Sequence, residues 1–187
     1  SDGKYQIKGV ISVADSKDIM IYAKATDKAG NDVSSTAQSL KTDGIQPIIT
    51  ATYDQEAGNA NYQNRTLTVT YTEQSFSEED ALFTIGIGKE EPTTYSLEDL
   101  KANKVSGVTV GNAQVTEGTT ADANQTSYAI TFSGKDNDET DLDKDYEITE
   151  IKLTDEAGNE GTADLSGLQN SFTVDGTKPL VDVKYGN

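Results

Sequence analysis

Apolar and polar residues alternate in short runs along this chain, which is typical of strands with one buried face and one face in water. The clearest run is 65–72, in which Leu67, Val69 and Tyr71 alternate with threonines. Successive side chains of a strand point to opposite faces of the sheet. We therefore expect this strand to bury Leu67, Val69 and Tyr71 and to turn its threonines outward.

The same alternation recurs in other runs, which are separated by turn-forming Gly, Asn and Asp residues. In the run 128–133, Tyr128, Ile130 and Phe132 share one face. In the run 146–153 the apolar parity changes between Ile148 and Ile151, which indicates a bulge of one extra residue. The predicted strands are 7–13, 18–26, 36–42, 47–53, 65–72, 82–87, 105–110, 113–115, 128–133 and 146–153.

Two short segments carry signals for the start of a helix. Residues 75–78 fit an S-x-x-E capping box, and residues 96–100 have a similar beginning. Neither segment is long enough for more than one or two turns. Many short strands with few helices predict an all-β fold, and specifically a β-sandwich.

Two motifs occur twice in the same order. The sequence Asp-Lys-Ala-Gly-Asn at 27–31 recurs as Asp-Glu-Ala-Gly-Asn at 155–159, and Asp-Gly-Ile-Gln-Pro at 43–47 recurs as Asp-Gly-Thr-Lys-Pro at 175–179. The copies are 128 and 132 residues apart, which indicates an internal repeat. Boundaries before Pro47 and Pro179 give the last strands of one unit (1–46), a complete unit (47–178) and the first strand of a third (179–187).

These motifs resemble the tandem bacterial immunoglobulin-like repeats of large cell-surface proteins, especially those of Gram-positive bacteria. The resemblance rests on the D-x-A-G-N turns, the D-G-x-x-P junctions and a strand at 61–72 that is followed by Glu73 and Phe76. It implies an immunoglobulin-like β-sandwich. The complete unit has 132 residues, against about 100 for such a sandwich, so the resemblance implies an enlarged central domain with an insertion near 90–145.

The D-x-A-G-N motif is interpreted as a structural turn, because turn chemistry accounts for each of its residue types. The aspartate can accept backbone N–H groups, the glycine allows a positive φ, and the asparagine tolerates the left-handed region. A ligand site is the less favoured alternative. The predicted turn residues are Asp27, Gly30, Asn31, Asp155, Gly158 and Asn159.

Acidic residues outnumber basic ones, at 32 against 15, which gives a formal charge of −17. Binding to nucleic-acid phosphates draws on clustered Lys and Arg, and Arg65 is the only arginine, so we expect no nucleic-acid partner. The absence of His and Cys excludes Ser-His-Asp and Cys-His nucleophiles, imidazole or thiolate metal sites, and disulfides. Carboxylate chemistry and oxygen-ligand metals remain open.

The densest acidic stretch, 136–147, offers a calcium site as one alternative and a solvated acidic loop as the other. Three of its aspartates have the 1-3-5 spacing of a calcium-binding loop, but Tyr146 and Lys152 occupy the places of the required glycine and glutamate. The junction aspartates Asp43 and Asp175 are weaker metal candidates, for which an Asx turn is preferred. The candidate calcium ligands are Asp136, Asp138, Asp141, Asp143 and Asp145.

Other chemistry finds less support in the residues. Paired carboxylates can hydrolyse glycosides, but acidic pairs are common in this composition and no Trp is present to form a sugar platform. A Lys–Asn isopeptide crosslink remains open, although no pair can be chosen. Tyrosines could line a glycan-binding face, but alternating tyrosines more often belong to a core. The tyrosines concerned are Tyr53, Tyr62, Tyr71, Tyr95 and Tyr128.

We therefore expect a non-enzymatic spacer segment of an extracellular bacterial surface or cell-wall protein, whose partners are neighbouring domains of the same polypeptide. The alternative is an adhesin-type module that recognises a host glycan or protein through loops of the central domain. No apolar run approaches the roughly 18 residues of a membrane helix, so no membrane insertion is expected. The chain begins at Ser1 without a leader-like segment, which we interpret as an internal piece of a longer precursor.

Overall fold

The computed structural model describes residues 17–54, 63–73, 75–118, 124–134, 143–178 and 180–184. The chain divides into two compact units, Ser1–Ile45 (unit 1) and Gln46–Asn187 (unit 2). The predicted strand at 7–13 lies outside the described residues. None of the described helices has the length and apolar character that crossing a membrane requires.

Unit 1 contains two antiparallel pairs of short strands. Strand β1 (Lys17–Ile21) pairs with β4 (Gln38–Thr42), and β2 (Lys24–Thr26) pairs with β3 (Asp32–Ser34). The single strand predicted at 18–26 is thus two strands, and β3 was not predicted because three residues are too few to show alternation. None of the described side chains of unit 1 is buried.

Unit 2 contains two five-stranded antiparallel sheets. In sheet I, β11 (Gln125–Ser133) lies between β6 (Asn64–Thr72) on one side and both β9 (Val108–Val110) and β10 (Gln114–Thr116) on the other. Strand β5 (Ile48–Tyr53) completes this sheet beside β6. The described structure of unit 2 is therefore all-β, as predicted, apart from one short helix.

Sheet II is built around the long strand β12 (Lys144–Thr154), which pairs with β7 (Ala81–Ile87). Strand β8 (Thr93–Ser96) continues the sheet beyond β7. Strands β13 (Glu160–Thr162) and β14 (Ser171–Val174) pair with the last and the first residues of β12, respectively. Strands β8, β13 and β14 were not predicted.

The two sheets of unit 2 pack face to face on a shared core. Phe132 of sheet I contacts Tyr146 of sheet II with ring centroids 5.1 Å apart, and Tyr53 contacts Phe172 at 5.6 Å. The inward residues of β6 and β11 are those that the alternation predicted. Leu67, Val69, Tyr71, Tyr128, Ile130 and Phe132 are all buried.

Strand β12 contains the predicted bulge, because its register with β7 shifts between Ile148 and Glu150. The helix predicted at 96–100 is α1 (Leu97–Lys101), which begins after Ser96 with a reciprocal capping box to Asp99. The helix start predicted at 75–78 is wrong. Residues 78–80 form only a turn, because β7 begins at Ala81 and leaves no room for a helix.

The segment 90–145, which the resemblance marks as an insertion, includes a central strand of sheet I. Strand β11 pairs with β6 over nine residues and contributes Ile130 and Phe132 to the core. Among the described residues, the same segment also provides α1, the edge strands β9 and β10 of sheet I, and β8 of sheet II. At the other end of the chain, residues 180–184 form no strand, because a strand needs a hydrogen-bonding partner and Leu180 is 96% exposed.

Candidate functional site

The D-x-A-G-N turn of unit 2 follows β12 and is held by its aspartate. The Asp155 carboxylate accepts hydrogen bonds from the backbone N–H of Ala157 (2.9 Å), the backbone N–H of Asn159 (2.8 Å) and the Asn159 side-chain amide (2.7 Å). Gly158 has a φ of 91°, where a residue with a Cβ is strained. The motif thus works as a local turn that satisfies its own carboxylate.

The turn of unit 1 has the same geometry. The Asp27 carboxylate accepts the backbone N–H of Ala29 (2.9 Å), the backbone N–H of Asn31 (2.8 Å) and the Asn31 side-chain amide (2.7 Å). Gly30 has a φ of 90°. The hydrogen bond from the Asn31 side chain is the main reason that the pKa of Asp27 lies below its usual value. Asp27 is exposed, whereas Asp155 is 5% exposed.

The strands that flank the two turns pair in the same register. Lys24 pairs with Ser34 in unit 1, and Lys152 pairs with Thr162 in unit 2, which is a shift of 128 residues on both strands. Each of these lysines also forms an ion pair with the first residue of the following strand, Asp32 at 2.7 Å or Glu160 at 2.6 Å.

The other strand pair of unit 1, β1 with β4, also has a counterpart in unit 2, β12 with β14. Lys17 pairs with Thr42 in unit 1, and Lys144 pairs with Val174 in unit 2. The shift is 127 residues on the first strand and 132 on the second. The bulge in β12 accounts for the change from 127 to 128, because it adds one residue.

A third likeness lies at the two D-G-x-x-P junctions. Asp43 accepts the backbone N–H of Ile45 at 3.0 Å, and Asp175 accepts that of Thr177 at 3.0 Å. Both are the hydrogen bonds of an Asx turn. The structure therefore supports the interpretation of Asp43 and Asp175 as residues of Asx turns.

One position breaks the likeness. A Cβ on Gly161 of β13 would overlap the carbonyl oxygen of Pro47, directly before β5. Val33 occupies the corresponding place in β3 of unit 1. The approach of β5 to β13 in unit 2 therefore requires glycine, and a strand could not sit in the same way against β3.

Two buried carboxylates lie at the same end of unit 2. Glu73, directly after β6, is 8% exposed, Asp155 is 5% exposed, and one carboxylate oxygen of each lies within 4.8 Å of the other. Such oxygens suit a hard cation. Glu73 was singled out from the sequence only as part of the family resemblance. Glu73 nevertheless continues the alternation of Leu67, Val69 and Tyr71, whose side chains point into the core.

The predicted calcium ligands lie partly outside the described residues, which include neither Asp136 nor Asp138 nor Asp141. Asp143 accepts the Thr177 hydroxyl at 2.9 Å, and Asp145 accepts the Thr173 hydroxyl at 2.6 Å. The bond from Thr177 is the main reason for the lowered pKa of Asp143. These two carboxylates hold β14 and the chain that follows it.

A cleft of about 220 Å³ lies beside the end of β6, lined in part by Glu78, Phe76 and Tyr128. Both oxygens of Glu78 accept hydrogen bonds from the Lys101 ammonium, at 2.6 and 2.7 Å, and one also accepts the Tyr128 hydroxyl at 2.8 Å. Burial opposes ionisation of Glu78, but these hydrogen bonds outweigh it and lower its pKa. The Glu78 carboxylate therefore has a structural role, as the hydrogen-bond acceptor of Lys101 and Tyr128.

The tyrosines considered for a glycan face mostly belong to the core. Tyr71 and Tyr128 are 0% and 4% exposed. Tyr53 is covered by the Arg65 guanidinium, whose carbon lies 3.8 Å from the ring centroid. Tyr95 is half-buried, and Tyr62 is outside the described residues. The core alternative is therefore correct for Tyr71 and Tyr128.

Comparison of this chain with family models, curated proteins and solved structures gives no match.

Proposed function

We propose that this chain is a non-catalytic spacer segment of a bacterial cell-surface or secreted protein, in which tandem immunoglobulin-like repeats project other domains. The observation that carries this proposal is the likeness between residues 17–45 and 144–177. The two segments share strand registers, the D-x-A-G-N turn with its three carboxylate hydrogen bonds, and the Asx turn at the junction. Units that repeat at this level of detail are typical of arrays.

The path of the chain through unit 2 also suits a spacer. Pro47, where unit 2 begins its first strand, lies against Gly161, which pairs with Leu153 near the end of β12. Val174, the last residue of β14, pairs with Lys144 at the start of β12. The chain therefore enters at one end of β12 and leaves at the other. Eleven residues of strand at about 3.3 Å each give roughly 36 Å between these ends.

The exposed side chains of unit 1 fit the proposal that it is the C-terminal part of a preceding repeat. Leu40 of β4 corresponds to Phe172 of β14, and these side chains are 42% and 5% exposed. Sheet I covers Phe172 in unit 2, through Phe132 and Tyr53. In a complete preceding repeat, an equivalent sheet would cover Leu40.

The experiment that tests this proposal measures length. Proteins with one, two and three linked copies of residues 46–177 are examined by small-angle X-ray scattering. A spacer gives a maximum dimension that grows by a constant step of about 40 Å per copy, which is the strand length plus its turns. Compact particles whose dimension rises only with the cube root of mass would refute the spacer proposal.

The adhesin alternative is tested by a glycan array and by pull-down against host matrix proteins. Deletion of residues 103–124 is a poor variant for this purpose, because it removes β9 and β10, which pair with β11. Substitutions at Asn112 and Glu117, which are exposed in the connections beside β10, leave the sheet intact. Reproducible binding that these substitutions abolish would favour the adhesin.

A further inference from the structure

The outer face of sheet I carries no charged side chain among its strands. The five strands contain one charged residue, Arg65, and its side chain is buried at 1% exposure. Hydroxyl groups dominate this outer face, which we call the hydroxyl face. On the neighbouring strands β5, β6 and β11 it includes Ile48, Thr50, Thr52, Thr66, Thr68, Thr70, Thr72, Ser127, Ala129 and Thr131.

The opposite sheet differs in this respect. Strand β12 of sheet II alone contains Asp145, Glu147 and Glu150, all of which are exposed. The chain as a whole has a formal charge of −17. The hydroxyl face is therefore an uncharged area on a strongly acidic molecule, and two copies of this chain repel each other least when these faces meet.

The hydroxyl groups of this face bond to each other across the strands. The Thr66 and Thr131 hydroxyl oxygens lie 3.2 Å apart, and those of Thr70 and Ser127 lie 2.8 Å apart. Covering a polar group costs least when the group keeps a hydrogen-bonding partner. These cross-strand pairs lower the cost of excluding water from the face.

We infer that the hydroxyl face binds the same face of a second copy of this chain. Strands β6 and β11 have nine residues each, or about 30 Å of length, and four strand positions at about 4.8 Å span about 19 Å. The face thus covers roughly 550 Å² per copy, and about 1,100 Å² in a dimer lies at the low end of specific interfaces. The dimer is consequently weak, and salt strengthens it by screening the repulsion between the copies. This inference does not depend on the proposed spacer function.

Sedimentation equilibrium of the full chain tests the inference at low and high salt. The apparent mass rises from the 20.0 kDa of the monomer towards twice that value at concentrations of several hundred micromolar, and it rises further at high salt. Thr68→Glu places a charge at the centre of the face, between Thr52 and Ala129, and weakens the association at least about 10-fold. Thr94→Glu, at an exposed position of sheet II, adds the same charge elsewhere and leaves the association within about 2-fold of wild type.

Two outcomes would overturn the inference. A wild-type chain that stays monomeric up to about 1 mM at high salt has no such interface, and its retention on a neutral polysaccharide would assign the face to a glycan. Equal association of Thr68→Glu and wild type would locate the contact elsewhere, such as at Met20 or Val33 of unit 1, which are 62% and 66% exposed. If Thr68→Glu fails to fold by circular dichroism, Thr50→Glu on the edge strand β5 replaces it with the same expected loss.

Discussion

The Tyr71 hydroxyl group has no hydrogen-bonding partner among the described residues, although the side chain is 0% exposed. Burial also raises the pKa of Tyr71, so the group remains a neutral phenol. The ring itself is well packed, with centroids 4.9 Å from Phe76 and 6.3 Å from Tyr128. Replacement of Tyr71 by Phe keeps these ring contacts and removes only the unpaired oxygen.

An unpaired buried hydroxyl costs about 1–3 kcal/mol. We therefore expect Tyr71→Phe to stabilise unit 2 by about 1 kcal/mol, the low end of this range. For a domain of this size, about 1 kcal/mol corresponds to a rise of about 2–4 °C in Tm. Most core substitutions destabilise, so an increase in stability is a demanding expectation.

Tyr146→Phe is the matched control. Tyr146 is 1% exposed, and its hydroxyl donates to the Ser133 carbonyl at 2.9 Å. Tyr146→Phe removes this hydrogen bond, so this variant loses about 1–2 kcal/mol. Urea unfolding followed by circular dichroism gives the midpoint, and an unchanged m-value shows that only stability changed. If Tyr71→Phe lost as much stability as Tyr146→Phe, the reasoning would be refuted, because the Tyr71 hydroxyl would then have a partner.

Three further tests concern the core and the turns. The Arg65 guanidinium lies over the rings of Tyr53 and Phe172. Because a buried ammonium cannot stack on aromatic rings in this way, Arg65→Lys loses about 2–4 kcal/mol in urea unfolding and Arg65→Met loses less. The reverse order would contradict this. Gly161→Ala lowers the free energy of unfolding by more than about 2 kcal/mol, because the new Cβ would meet the Pro47 carbonyl. Gly167→Ala is the control: a Cβ there has open space around it, so stability changes by less than about 0.5 kcal/mol. The lowered pKa of Asp27 means that its turn is held above pH 4 and loosens as the pH falls through that lowered pKa; NMR amide shifts that stay constant down to pH 2 would contradict this.

The fold was predictable where strands are long and bury one face. Alternation identified the inward residues of β6 and β11, and a change of parity located the bulge of β12. The burial of Arg65 and Glu73 follows the same parity, although both residues are charged and their inward direction was not predicted. Parity was the stronger signal, because the direction of a side chain in a strand depends on its position and not on its charge.

Other features could not be predicted from local sequence. Strands β13 and β14 have three and four residues, and they form only because β12 offers a paired edge. Glu73 and Asp155 lie at the ends of strands from different sheets, so no local sequence pattern could predict that they are close together. The capping box at 75–78 failed for a related reason, since a start signal needs a following segment that is free to be helical.

The opposite positions of Pro47 and Val174 in unit 2 determine how this unit responds to tension. A pull on both ends draws β5 along β6 and β14 along β12, parallel to the strands, because each terminal strand points towards the end at which its chain leaves. The ladder hydrogen bonds of each strand then share the load instead of breaking one after another. Strand β5 has six paired residues and β14 has four, so under force the unit should open first at β14.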